Sequence, residues 1–245
     1  MANRIVKAIP NAVTCCNLLM GCAATMFAFQ GAYTRAFLFI LIGGVFDFFD
    51  GLTARALHVS SSIGKELDSL ADDITFGLAP AAMVYTLIGH CVASHPTLSG
   101  TAPFVARLLP FAAFLLAAFS ALRLAKFNLD ERQATTFIGL PTPANALFWG
   151  GLCVGSGTTL IAQTWGVWLL LALVALFSWL LVAEIPMFSL KFKKGKKNTV
   201  AILFLIVSAV LLAWQLCAHG LTGALSVFSA VIGLYIILSL LTHPQ

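Results

Sequence analysis

Polar residues are so sparse along this chain that hydrophobicity falls into blocks rather than into alternating faces. Eight apolar runs, at roughly 13–30, 36–56, 68–89, 104–126, 143–162, 165–187, 199–217 and 221–241, are separated by short stretches where Gly, Pro, Ser, Thr or charged residues gather. A helix that crosses a bilayer needs about 20 mostly apolar residues, and each run is close to that length. The pattern predicts an all-α, polytopic membrane helical bundle with about eight transmembrane helices.

Composition agrees. At 60% apolar and 9% charged residues, with a mean hydropathy of +0.97, the chain is too apolar for a soluble domain, and its 245 residues suit one integral membrane domain over 1–245. Lys and Arg set the orientation. With the N-terminus inside, Arg4, Lys7, Arg55, Lys65, Arg123, Lys126, Arg132, Lys191, Lys193, Lys194, Lys196 and Lys197 fall on the cytoplasmic side, leaving Arg35 and Arg107 outside. Both termini are therefore expected in the cytoplasm. Residues 1–12, with Arg4 and Lys7 among apolar neighbours, read as an amphipathic interfacial segment, and 191–198 as a basic cytoplasmic loop. Topology and attraction to anionic membrane lipids account for most of the positive charge, and nothing in it implies a nucleic-acid partner. The six cysteines form no C-x-x-C or Cys/His cluster and read as small apolar packing residues.

Against this background the segment Asp47–Asp72 stands apart, since it holds five of the nine acidic residues: Asp47, Asp50, Glu66, Asp68 and Asp72. Asp47 and Asp50 are spaced i, i+3, and Asp68 and Asp72 i, i+4, so each pair shares a helix face. The polar link between them, His58 to Lys65, lets the second helix fold back beside the first. Like charges about 4 to 6 Å apart repel by roughly 3 to 4 kcal/mol per pair at an effective dielectric near 20, which protonation or bound cations must offset. Oxygen donors alone suit a hard cation such as Mg²⁺, Mn²⁺ or Ca²⁺. Two helices with two carboxylates each could hold a pair of metals, the arrangement that clamps both oxygens of a phosphoryl displacement.

Asp47, Asp50, Gly51, Ala54, Arg55, Gly64, Asp68 and Asp72 together match D-x-x-D-G-x-x-A-R, eight residues, then G-x-x-x-D-x-x-x-D. This resembles the signature of the CDP-alcohol phosphotransferase family of integral membrane enzymes. The resemblance implies that Asp47, Asp50 and Asp68 hold two divalent ions, Mg²⁺ or Mn²⁺, with Asp72 contributing to a metal and acting as catalytic base. It implies too that Gly51, Ala54, Arg55 and Gly64 belong to the CDP site, and that the enzyme is a homodimer. By spacing alone, Gly51 and Ala54 would serve helix packing, and Arg55 is placed to pair with a phosphate or to orient an aspartate. Asp73 falls outside the pattern, about 100° round the helix from Asp72.

Other stretches resemble the serine-accepting branch of that family more narrowly: Pro10-Asn11 with Thr14 and Asn17, Thr75-Phe76-Gly77 before Pro80, A-L-R-L-A-K-F-N ending at Asn128, and G-L-P-T-P from Gly139. Thr14 and Asn17 either hydrogen-bond the cytidine and its ribose or bond across helices. Pro80 is expected to kink its helix. Arg123 and Lys126 could hold the acceptor's carboxylate or a lipid phosphate, or snorkel to the interface; Lys126 stands where the branch has arginine. Lys191 fits an anion-binding role. Glu184 replaces the branch's usual serine, and is either functional, as an acid in a membrane segment is by default, or paired with a base such as Lys191.

The resemblance thus implies transfer of the phosphatidyl group from CDP-diacylglycerol to L-serine with release of CMP, at a cytoplasm-facing site of a multi-pass protein in the cell membrane. One alternative is the same chemistry with glycerol 3-phosphate or an inositol phosphate, whose dianionic phosphates should demand more arginines than this cytoplasmic face offers. A polyprenyl transferase would not require Gly51, Ala54, Arg55 and Gly64 at this spacing. A divalent-cation transporter would need polar residues through the membrane, and the acids gather at one edge.

Overall fold

The computed structural model describes residues 4–59, 61–95, 103–130, 138–187 and 199–241. Among them the regular elements are all helical: α1 (Arg4–Phe29), α2 (Tyr33–Ala56), α3 (Ser62–Asp72), α4 (Ala79–Ser94), α5 (Pro103–Leu108), α6 (Leu115–Leu129), α7 (Thr142–Ala162), α8 (Gly166–Val182) and α9 (Thr199–Leu241). A π-helical turn, Asp73–Leu78, joins α3 to α4, and a 3₁₀ segment, Leu109–Phe114, joins α5 to α6. The expected all-α bundle is what forms.

Five helical stretches are long and apolar enough to cross a membrane: Ala8–Phe29, Tyr33–Ala56, Ser62–Ser94, Phe104–Leu129 and Ile202–Leu241. Two of the other expected runs are the helices α7 and α8. α7 is diluted by Thr, Asn, Ser and Gly, and α8 has 17 residues. The last two runs lie end to end in α9, broken at Gly220, whose φ of 64° and ψ of −154° no helix contains. Residues 4–12, read as an interfacial start, are the first turns of α1, with Pro10 inside the helix.

Side-chain burial follows membrane logic. Small and medium apolar residues of α4, among them Ala79, Ala82, Met83, Val84, Leu87 and Ile88, pack with Phe37, Ile40, Trp149, Leu170 and Val174 into the interior. Phe148 and Phe177 stack at 4.1 Å, tying α7 to α8. Large apolar side chains also cover the outside, including Leu19, Met26, Phe48, Phe104, Trp168, Trp179, Leu203 and Val210. Water would penalise such an exterior by roughly 25 cal/mol per Å², whereas acyl chains do not.

Two local features position the site. At Pro80 the chain has no N–H to give to the Phe76 carbonyl, and the helix widens into the π turn just before it rather than simply kinking. π turns of this kind are frequent at functional sites. At Gly43, a Cβ would lie 2.6 Å from Thr75 Cγ2 and 3.0 Å from Asn17 Oδ1, so only glycine lets α1, α2 and the π turn meet this closely.

Candidate active site

The α2–α3 hairpin brings the acidic segment together as its spacing predicts. One carboxylate oxygen each from Asp47, Asp50 and Asp68 lies within 4.8 Å of the others. The register of α3 is set by Ser61, which caps the helix by accepting a hydrogen bond from the Gly64 amide at 3.0 Å. Gly64 has no room for a side chain, because a Cβ there would sit 2.9 Å from Ser61 Oγ and 3.0 Å from Asn11 Oδ1. The family's second glycine thus lets α1 approach the start of α3.

α1 holds the carboxylates from the other side. Thr14 Oγ1 is 2.7 Å from Asp50 Oδ2 and 3.1 Å from the Pro10 carbonyl, so its one proton serves one or the other. Asn17 donates from Nδ2 to Asp72 Oδ1 at 3.1 Å, and its backbone carbonyl accepts from Thr75 Oγ1 at 3.1 Å. Asn17 is completely buried and does not border the cleft described below, so of its two expected roles the structure shows the cross-helix bond. Asp72 comes within hydrogen-bonding reach of Asp47 but is not one of the three converging carboxylates.

Three mutually repelling carboxylates at this separation are the donor set a hard divalent cation takes. At about 4.8 Å and an effective dielectric near 20, each pair costs roughly 3 to 4 kcal/mol without one. The buried Oδ1 of Asp68 has no hydrogen-bond partner. The residues present therefore fit a divalent ion.

A cleft of about 250 Å³ opens beside the carboxylates, lined by Pro10, Asn11, Thr14, Asp50, Gly51, Ala54, Val59, Ser61, Gly64, Lys65 and Asp68. Gly51, Ala54, Gly64 and Thr14, all expected at the nucleotide site, are on its wall. Arg55 is exposed and is not among the lining residues, though its guanidinium nitrogens are 3.8 to 3.9 Å from where a Cβ of Gly51, on the wall, would be. Lys65, not singled out from the sequence as a site residue, borders the cleft and donates to the Asn128 carbonyl at 3.1 Å. Its position directly after Gly64, within the second half of the motif, was the available signal. Asn11, from the Pro-Asn pair of α1, was likewise missed as a wall residue.

Arg123 and Lys126 border a second cavity of about 410 Å³, with Asp130, Ile138, Leu181 and Glu184. The G-L-P segment follows Ile138 of its wall and is tied to the end of α8: Gly139 and Leu140 donate to the carbonyls of Ile185 and Leu180, each at 2.9 Å. Gly139 has a φ of +76°, and a Cβ on it would sit 2.8 Å from the Leu181 carbonyl oxygen, which explains the glycine. A third, apolar groove of about 500 Å³ is lined by Gly44, Phe76, Pro143, Leu147 and Phe228, with Asp47 also on its wall. Lys191 and the 191–198 loop lie outside the described residues. Asp73 turns away from the carboxylates toward Ser120 and Gly77.

A sequence model of the CDP-alcohol phosphatidyltransferase family matches residues 7–236. Curated relatives named CDP-diacylglycerol--serine O-phosphatidyltransferase include one from Bacillus subtilis strain 168, 33% identical over 190 residues that cover 78% of this chain and 92% of that protein. Another, from Methanocaldococcus jannaschii, is 32% identical over 150 residues, 61% of this chain and 62% of its own. A third, from Saccharomyces cerevisiae, is 38% identical over 134 residues, 50% of this chain and 43% of its own. With nearly the whole chain matched and the aspartates of the motif drawn together on two neighbouring helices, this protein belongs to the CDP-alcohol phosphatidyltransferase family.

Proposed function

We propose that the protein is a phosphatidylserine synthase, moving the phosphatidyl group of CDP-diacylglycerol to the hydroxyl of L-serine and releasing CMP. The observation that carries this reading is the convergence of Asp47, Asp50 and Asp68 beside an aspartate, Asp72, that Asn17 holds in place. Asp47, Asp50 and Asp68, with Asp72 beside them, would hold two divalent ions, Mg²⁺ or Mn²⁺, which would supply charge neutralisation of the diphosphate.

The remaining steps belong to the protein's own side chains. Thr14, Gly51, Ala54 and Gly64 shape the cleft that takes the nucleotide, with Lys65 and Arg55 near its phosphates. The apolar groove with Asp47 on its wall takes an acyl chain and keeps the lipid's phosphorus near the carboxylates. A serine hydroxyl is a weak nucleophile near neutral pH, so Asp72 accepts its proton as the oxygen attacks the lipid-bearing phosphorus. The bond from that phosphorus to the oxygen of the CMP phosphate breaks, and CMP leaves with the electron pair. Arg123 lies within electrostatic range of Asp72, and with Lys126 it receives the serine carboxylate.

In this reading the chain is one membrane domain of eight spans, completed by α7, α8 and the two arms of α9. Both termini and the cleft face the cytoplasm of a cell membrane, and the enzyme works as a homodimer among membrane lipids. The test is product identification. Purified protein is given CDP-diacylglycerol with serine, glycerol 3-phosphate or an inositol phosphate, CMP is followed and the lipid is weighed by mass spectrometry. Phosphatidylserine is expected; CMP release with a phosphorylated alcohol and none with serine would overturn the assignment.

A further inference from the structure

The second cavity carries more chemistry than an anion site needs. Arg123, at its inner end, is 6% exposed, and its Nε has no hydrogen-bond partner. A buried, unpartnered guanidinium nitrogen on the wall of a cavity calls for an anionic ligand. The cavity's volume of about 410 Å³ lies within the roughly 300–1,000 Å³ of small-molecule sites. Yet Glu184, on the segment that follows α8, puts an exposed carboxylate into the same space. The backbone on either side of it is held by the hydrogen bonds that Gly139 and Leu140 donate to the carbonyls of Ile185 and Leu180, which keeps Glu184 on the cavity wall.

A ligand that satisfies both groups carries a negative and a positive charge. A phosphorylated alcohol brings two negative charges and no cation, and Glu184 would repel it. An α-amino acid brings a carboxylate for Arg123 and an ammonium for Glu184. We propose that Glu184 determines acceptor specificity by receiving the ammonium group of the amino-acid acceptor while Arg123 receives its carboxylate. This rests on the serine-accepting reading above and adds the group that reads the amine. Asp130, the other acid on the cavity wall, is already engaged by a neighbouring group and serves as the control.

The experiment uses the full-length protein in detergent with CDP-diacylglycerol, and measures CMP release with L-serine, with glycerate, which lacks the ammonium, and with ethanolamine, which lacks the carboxylate. Glu184→Gln is expected to raise the KM for serine about 10- to 100-fold, the weight of a charged hydrogen bond, with little change in kcat. The preference for serine over glycerate should narrow by a similar factor, Glu184→Asp should restore part of it, and Asp130→Asn should leave it unchanged. Retained turnover of glycerate by Glu184→Gln shows that the variant is folded. Serine turnover with an unaltered serine-to-glycerate ratio in Glu184→Gln overturns this inference alone, as does the same narrowing in Asp130→Asn. No CMP from serine with the unmodified protein overturns the acceptor assignment and this inference with it.

Discussion

Two uncharged residues on α1 decide how the carboxylates sit. Thr14 and Asn17 were legible in the sequence as a polar pair inside an apolar helix, but spacing alone left open whether they face a ligand or another helix. Their hydrogen bonds to Asp50 and Asp72 give each a separate task, since Asp50 is one of the three converging acids and Asp72 is the proposed base. Thr14→Val removes a hydrogen bond that orients a metal ligand, and such changes typically lower metal affinity about 10- to 100-fold. Asn17→Ala leaves Asp47, Asp50 and Asp68 in place and frees only Asp72, so it should lower kcat about 10- to 100-fold, short of the roughly 10²- to 10⁴-fold expected for Asp72→Asn. Titrating activity with Mg²⁺ or Mn²⁺ separates the two. The Thr14 variant should recover at high metal, and the Asn17 variant should not; recovery of both would show that Asn17 acts through the metal ligands instead.

At the scale of elements, the site depends on how closely α1, α2 and the π turn approach. The helices themselves were readable from apolar length, and Pro80 marked where α3 could not continue unperturbed into α4. The small residue that permits the approach was not readable. Gly43 sits in an apolar run like any other glycine of a membrane helix, and only the partner side chains, Thr75 and Asn17, reveal that its missing Cβ matters. The same holds for the wall of the second cavity, where an isolated bridge between Ile138 and Pro186 joins segments nearly 50 residues apart in the chain. Gly43→Leu forces a side chain into occupied space, and overpacking of this kind costs about 1 to 3 kcal/mol. Its thermal unfolding in detergent should shift down, and turnover should fall because Asn17 and Thr75 are displaced. Gly233 has nothing within 4 Å of the corresponding position, so Gly233→Ala should change neither. Equal stability of the two variants would show that α1 and α2 have room to spare at Gly43.

For the molecule as a whole, the apolar exterior suits a bilayer, and the charge asymmetry supports the proposed orientation within it. The asymmetry was legible because it is a property of composition along the chain, and so were the apolar runs; that the last two lie end to end in α9, broken only at Gly220, was not. The proposed orientation rests on Lys and Arg. Arg35, one of the two basic residues assigned outside, lies 5.0 Å above the Phe27 ring, so it has a partner of its own at that face and need not draw the loop inward. Leu57 follows α2 and Thr164 follows α7, in loops that eight crossings would put on opposite sides of the membrane. Both are exposed. In a background with the native cysteines replaced, Thr164→Cys should react with a membrane-impermeant maleimide in intact cells, and Leu57→Cys only once the membrane is opened. Were Leu57→Cys to label in intact cells, the carboxylate cluster a few residues before it would face away from the cytoplasmic nucleotide, and the proposed reaction could not draw on that supply.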